Sequence, residues 1–327
     1  MRAVVLDGKV RFTRSYPAPA PVAGECLIRV LAAGVCSTDL ELAKGYMSFT
    51  GVIGHEFVGR VEDAPEAGLV GSRVVCEINC VCGQCDLCQA GLRNHCRNRT
   101  AIGISGRDGC FADLITVPQR NCFRVPDSID DEQAVFVEPL AAAVQVIKQV
   151  PVDSETKATV LGDGRLGLLV AQVLQSAGVA NLTLVGRHEH KLAIAAQRGI
   201  RTVELDSGAT VAGAADLNHS QDLVVDCTGK PAGLAAALEF VRPRGVVVLK
   251  STYADPGAVN LAPLVINEVQ VIGSRCGPFP DAIDLLARKQ VDVTGLISKR
   301  FKLDRATDAL DAAGKPENVK VLLTLAG

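Results

Sequence analysis

Val160-Leu161-Gly162-Asp163-Gly164-Arg165-Leu166-Gly167 sets three glycines in the order G-x-G-x-x-G, straight after an apolar run and at the start of a helical pattern. Each glycine has a mechanical use. Gly162 makes the tight turn, Gly164 lets backbone approach a pyrophosphate, and Gly167 allows the helix to pack close on the strand. The helix, entered through Arg165 and Leu166, turns its free N–H groups and positive dipole end toward such a ligand. The motif therefore predicts a dinucleotide-binding βαβ unit of the Rossmann type.

The surroundings agree with that reading. Residues 158–161 read as a buried strand, 166–177 as a helix and 182–185 as the next strand, followed by a helix over 188–198. Further strands are expected near 202–203, 223–226, 245–249 and 269–272. Apolar strands alternating with helices give a doubly wound parallel sheet covered on both faces, the α/β class. Before it, short apolar runs at 26–31, 57–61, 73–76 and 111–117 are separated by Gly, Pro and Asp turns, which reads as a small β-rich domain. After it come a helix at 281–289 and a strand at 319–323. The expected division is 140–277 for the dinucleotide domain, with 1–139 and 278–327 forming the other.

The second strand of the parallel sheet bears on the cofactor. A site for NAD wants an acid at its end to hold the ribose 2′-hydroxyl; here Gly186-Arg187-His188 follow Val185. Gly186 gives room and Arg187 offers a bidentate cation for a 2′-phosphate, with Lys191 close by. NADP is the expected preference, with NAD possible.

Cysteine supplies the second signal. The chain of 327 residues has 12, of which 10 precede residue 123. No export signal opens the chain, so reduced thiols and metal are expected rather than disulfides. Cys82, Cys85, Cys88 and Cys96 follow C-x2-C-x2-C-x7-C, a spacing that lets four thiolates close on one Zn²⁺ with no open position. Such a site is structural. Cys80 and His95 read as bystanders.

Cys36-Ser37-Thr38-Asp39 and Gly54-His55-Glu56 lie apart from that knot. A Cys, a His and a carboxylate make a ligand set for a catalytic zinc that keeps one position for water or substrate. Glu138, where the first domain hands over to the second, is a candidate carboxylate. It also reads as a helix-start Glu favoured by the dipole, with Pro139 beside it.

Composition removes other classes. Lys and Arg total 34 against 36 Asp and Glu, a net charge of −2, with no basic block to bind nucleic acid or an anionic membrane. Residues are 48% hydrophobic, which argues against disorder, and no apolar run is long enough to span a bilayer. A cytoplasmic protein acting on a small molecule is expected.

Together these residues resemble the zinc-dependent medium-chain dehydrogenase/reductase (alcohol dehydrogenase) superfamily over essentially the whole chain. Gly71-Ser72-Arg73-Val74-Val75 adds to the likeness, with Ser72 where the family usually has Asp. The resemblance implies a GroES-like catalytic domain beside the Rossmann domain, two zinc ions per chain and a homodimer or homotetramer. It makes Cys36, His55 and Glu138 zinc ligands, with Glu56 an alternating or supporting carboxylate. It makes Asp39 the residue that orients His55, and Thr38 the hydroxyl that passes the substrate proton. Glu41 stands where a relay His is often found. Thr228-Gly229 and Ser251 fall where the family lines the nicotinamide ribose and ring. Glu138 in place of a Cys is similar to the polyol, threonine and sugar dehydrogenases. The implied activity is hydride transfer between an alcohol and NADP(H) or NAD(H). The alternative is a catalytically silent zinc- and nucleotide-binding relative with a structural or sensing role.

Overall fold

The computed structural model describes residues 1–205, 211–252 and 259–325, which cluster into two units. The first comprises Met1–Glu138, Phe279–Ala287 and Leu296–Gly327; the second comprises Pro139–Pro278 and Arg288–Gly295.

The first unit is built on a seven-stranded sheet. Its longest strand, β1 (Glu25–Gly34), pairs antiparallel with β2 (Glu56–Asp63) and, on the other side, with Lys320–Thr324. Cys26, Ile28 and Val30 of β1 alternate toward a core joined by Val61, Phe111 and Leu323, and after a register shift between Val30 and Ala32 Ala33 joins it too. Period-two alternation places that face inward, so the register is fixed by burial. Helix α1 (Ser37–Ala43) leaves the end of β1. Its N-cap, Cys36, is extended at φ −111° and ψ 155°, and Asp39 lies in the first turn, where the helix dipole favours an acid. The strand expected over 111–117 begins only at Leu114, because Phe111 instead exchanges backbone bonds with Val4 and Ile53.

The second unit is a six-stranded parallel sheet. In chain order its parts are β3 (Lys157–Leu161), α2 (Arg165–Ser176), β4 (Asn181–Gly186), α3 (Glu189–Ala196), β5 (Arg201–Glu204), β6 (Gln221–Asp226), β7 (Val241–Leu249) and β8 (Gln270–Gly273). The spatial order β5-β4-β3-β6-β7-β8 reverses beside β3. That reversal is the switch point at which doubly wound sheets bind dinucleotides. Val160, Leu184, Val224 and Val247 are fully buried, as expected of strands covered on both faces. Among the described residues no helix is long and apolar enough to cross a membrane.

Candidate functional site

In the first unit, α1 and the turn before β2 converge. Gly54 has φ +94°, and a side chain there would strike the Phe111 ring, so only glycine allows the turn that presents His55. His55 and Glu56 are buried, at 3% and 0% exposure. Cys36 Sγ, a ring nitrogen of His55 and a carboxylate oxygen of Glu56 lie within 4.8 Å of one another. Behind them, Asp39 accepts from the Cys36 N–H at 2.8 Å and places Oδ1 3.3 Å from His55 Nδ1. Burial alone would push the His55 pKa down; the Asp39 charge and hydrogen bond, with Cys36, outweigh it and hold the pKa well above the usual range. Nδ1 faces Asp39, which leaves Nε2 for the ligand set. Thr38 Oγ1 is 3.7 Å from Cys36 Sγ on a half-buried surface.

A thiolate, an imidazole oriented by a carboxylate, and a second carboxylate fit a zinc ion as ligand types and as a cluster. Glu138 stands outside this group: it occupies the first turn of helix Val137–Gln149 and is half-buried. The carboxylate brought to Cys36 and His55 is thus Glu56, because β2 starts at that residue. Glu41 is engaged elsewhere on α1. Its carboxylate bonds Lys44 Nζ at 2.8 Å, and both side chains are exposed on the outer face of α1.

Lys320 is a site residue that sequence patterning misses. Its fully buried ammonium donates to Glu56 Oε2 and to the Val35 carbonyl at 3.1 Å, and lies 5.9 Å from the Phe136 ring centre. Burial brings its pKa down to about 8. Gly34 lacks a side chain where the Lys320 stem passes: a Cβ there would collide with it.

The cysteine lobe forms its own cluster. Cys82, Cys85, Cys88 and Cys96 have their sulfurs within 4.8 Å of one another, with Cys80 and His95 outside. Backbone N–H groups of Gln84 and Cys85 lower the Cys82 pKa to about 6. Four thiolates so close repel one another unless a cation sits among them, which is the chemistry a closed zinc site satisfies.

In the second unit the glycine loop has the form its motif demands. Gly162 takes φ +105°, a Cβ on Gly167 would collide with the Gly162 carbonyl, and a Cβ on Gly164 would meet open space. Gly164 is the N-cap of α2, which starts at Arg165 and Leu166. Arg187 is exposed and Lys191 buried. At the end of β6, Asp226 Oδ1 accepts from Thr228 N–H and Oγ1 at 2.9 and 2.7 Å, and Ser251 Oγ accepts from Gly229 N–H at 2.8 Å. Thr228, Gly229 and Ser251 therefore share one hydrogen-bonded rim at the carboxyl ends of β6 and β7.

Comparison with known proteins assigns both units. Residues 22–127 match the alcohol dehydrogenase GroES-like domain, and residues 132–325 match the glucose dehydrogenase C-terminus. A sorbitol dehydrogenase of Halalkalibacterium halodurans is 29% identical over 323 residues, 94% of each chain. A structure from Sinorhizobium meliloti, described as a zinc-binding dehydrogenase bound to NADP, superposes with a TM-score of 0.90 at 29% identity over 99% of each chain. An alcohol dehydrogenase of Escherichia coli complexed with NADH gives 0.91 at 27% identity, again over 99% of each chain. Likeness to these dehydrogenases over nearly the whole chain supports an oxidoreductase and not the catalytically silent alternative. The chain belongs to the zinc-dependent medium-chain dehydrogenase/reductase family and is an oxidoreductase that uses a nicotinamide dinucleotide.

Proposed function

We propose that the chain interconverts a small hydroxylated substrate, a polyol or sugar alcohol, and its carbonyl, with NADP(H) or NAD(H) as hydride partner. The observation that carries this reading is the Cys36–His55–Glu56 group, backed by Asp39 and bordered by the Thr38 hydroxyl. One zinc ion is assigned to that group, with Glu138 as the alternative carboxylate, and a second to Cys82, Cys85, Cys88 and Cys96. Bound zinc supplies Lewis acidity to an alcohol or carbonyl oxygen.

The residues divide the remaining work. Asp39 holds the His55 ring through Nδ1 and fixes its tautomer. Lys320 balances the Glu56 charge in a dry environment. Thr38, half-buried beside Cys36, is the hydroxyl that takes the substrate proton and passes it toward solvent. Gly162, Gly164, Arg165, Leu166 and Gly167 cradle the pyrophosphate, Arg187 faces the adenosine ribose, and Thr228 and Ser251 border the nicotinamide side. The polyol class is supported by the sorbitol dehydrogenase relative. None of the twelve cysteines is in a disulfide, which suits the reducing cytoplasm.

Initial rates of cofactor reduction across simple alcohols, polyols, aldoses and threonine test the reading, with the matching carbonyls run in reverse. Turnover confined to polyols or sugars supports it. Turnover confined to simple monohydric alcohols or to threonine overturns the substrate class, and no turnover by protein carrying two zinc ions overturns the panel's whole premise.

A further inference from the structure

Gly186 ends β4 where a dinucleotide fold would place the acid that holds the adenosine ribose. The space is not vacant of acid. A Cβ built on Gly186 would lie 2.5 Å from Asp163 Cβ and 2.6 Å from Asp163 Oδ2. The carboxylate missing from the second strand thus arrives from the glycine loop, from the x position between Gly162 and Gly164.

Its hydrogen bonds make the substitution specific. Asp163 Oδ2 accepts from the backbone N–H groups of Arg187 and His188 at 2.8 and 2.7 Å, and lies 3.0 Å from His188 Nδ1. Oδ1 has the longer contact, 3.2 Å to the same nitrogen. The side chain is only 10% exposed. Consecutive N–H groups at such a turn are a nest for an anion. Here an internal carboxylate already fills it. An incoming 2′-phosphate meets those two donors engaged and a negative charge beside them, with the exposed Arg187 guanidinium as its compensating cation. A ribose hydroxyl, by contrast, is a donor that Oδ1 can accept.

Building on the dinucleotide reading above, we infer that Asp163 is a specificity-determining residue, accepting from the adenosine ribose of NAD(H) and opposing the 2′-phosphate of NADP(H). Arg187 pulls in the other direction. The two side chains offset each other, and the wild-type chain takes both dinucleotides.

Isothermal titration of the zinc-loaded protein with NADH and with NADPH, without alcohol or carbonyl, tests this through affinity alone. The wild-type dissociation constants are expected to lie within about thirtyfold of each other. Asp163→Asn keeps an acceptor for the Arg187 and His188 N–H groups and removes the charge; it is expected to shift the affinity ratio at least about tenfold toward NADPH. Arg187→Ala is expected to shift it about tenfold toward NADH. Asp163→Ser, with the smaller acceptor, serves as the second variant if Asp163→Asn misfolds, and the same shift is expected. A ratio within about threefold of wild type in both Asp163 variants overturns the inference while leaving dinucleotide binding intact. Wild-type selectivity beyond about thirtyfold also overturns it. Failure of wild type to bind either dinucleotide overturns the functional reading along with it.

Discussion

Lys320 and Glu56 form a buried ion pair across 264 residues of sequence, each with no solvent exposure. The pair brings the C-terminal strand to the first residue of β2 and puts a buried lysine behind a candidate metal ligand. Its removal from one side is expected to be costly, because the other charge stays buried. Lys320→Met should lower unfolding free energy by about 3–5 kcal/mol in chemical denaturation. The double variant Lys320→Met, Glu56→Gln should recover part of that loss, with a coupling of at least about 1 kcal/mol. Additive single effects would show that the pair is not coupled.

Metal content separates the two clusters. Cys36→Ser is expected to lose one zinc per chain and turnover while retaining the cysteine lobe. Cys85→Ser should lose the other zinc and stability, since metal binding to a closed site is part of its folding free energy. Zinc measured by mass spectrometry on the purified variants checks both. Loss of both zinc ions from either single variant would mean that the sites are not independent.

Thr38→Ala tests the proton route. Turnover is expected to fall about 10²-fold or more, in the range of a lost general acid–base group, with zinc content unchanged. Unaltered turnover would remove Thr38 from the mechanism. Glu41→Gln should leave turnover near wild type, because Glu41 is engaged with Lys44 on the exposed face of α1.

Tyr16 gives a pH signature. Burial, then its 2.9 Å hydrogen bond to Asp108, raise its pKa to about 12 from 10.0. A folded-state pKa above the unfolded one means that the interaction contributes fully below pH 10.0 and is lost as pH rises toward about 12. Ultraviolet titration of tyrosinate should show this late transition, and Tyr16→Phe should remove it. A Tyr16 that titrates near 10 would contradict the Asp108 contact.

The exposed edge of the parallel sheet bears on assembly. Leu261, Val265, Ile266 and Val271 are 57%, 79%, 77% and 38% exposed, and among the described residues β8, which carries Val271, is the last strand of the parallel sheet. Such an apolar edge invites a second copy of the chain. A dimer or tetramer is expected by light scattering, and Val271→Lys with Ile266→Lys should release monomers. A wild-type monomer would refute this edge as an interface.

What could be read in advance follows from how local each signal is. The parallel sheet was legible because strands such as 158–161 and 223–226 are mostly apolar, and the glycine motif fixes where the first one ends. The four cysteines sit on one loop, so their spacing alone restricts how they meet. Lys320 was not legible. In Val319-Lys320-Val321-Leu322-Leu323 a lysine reads as the solvent side of an alternation, and its burial depends on Gly34 and Glu56, far away in sequence. Asp163 occupies a position that the motif leaves unspecified. Strand Ile297–Lys302 exposes most of its residues and so carries no hydrophobic period. The choice between Glu56 and Glu138 beside Cys36 depends on where β2 and helix Val137–Gln149 begin, which composition does not encode.

The pairing of β1 with Lys320–Thr324 also sets an order of assembly. During synthesis Cys36, His55 and Glu56 emerge early, but the strand that carries their counter-charge is made only after every residue of the parallel sheet. A nascent chain can therefore complete the dinucleotide-binding unit while Glu56 still lacks its ammonium partner. The contact between Glu56 and Lys320 therefore closes last, so a chain cut short before its final strand would keep a finished nucleotide half and leave the Glu56 carboxylate buried without its counter-charge.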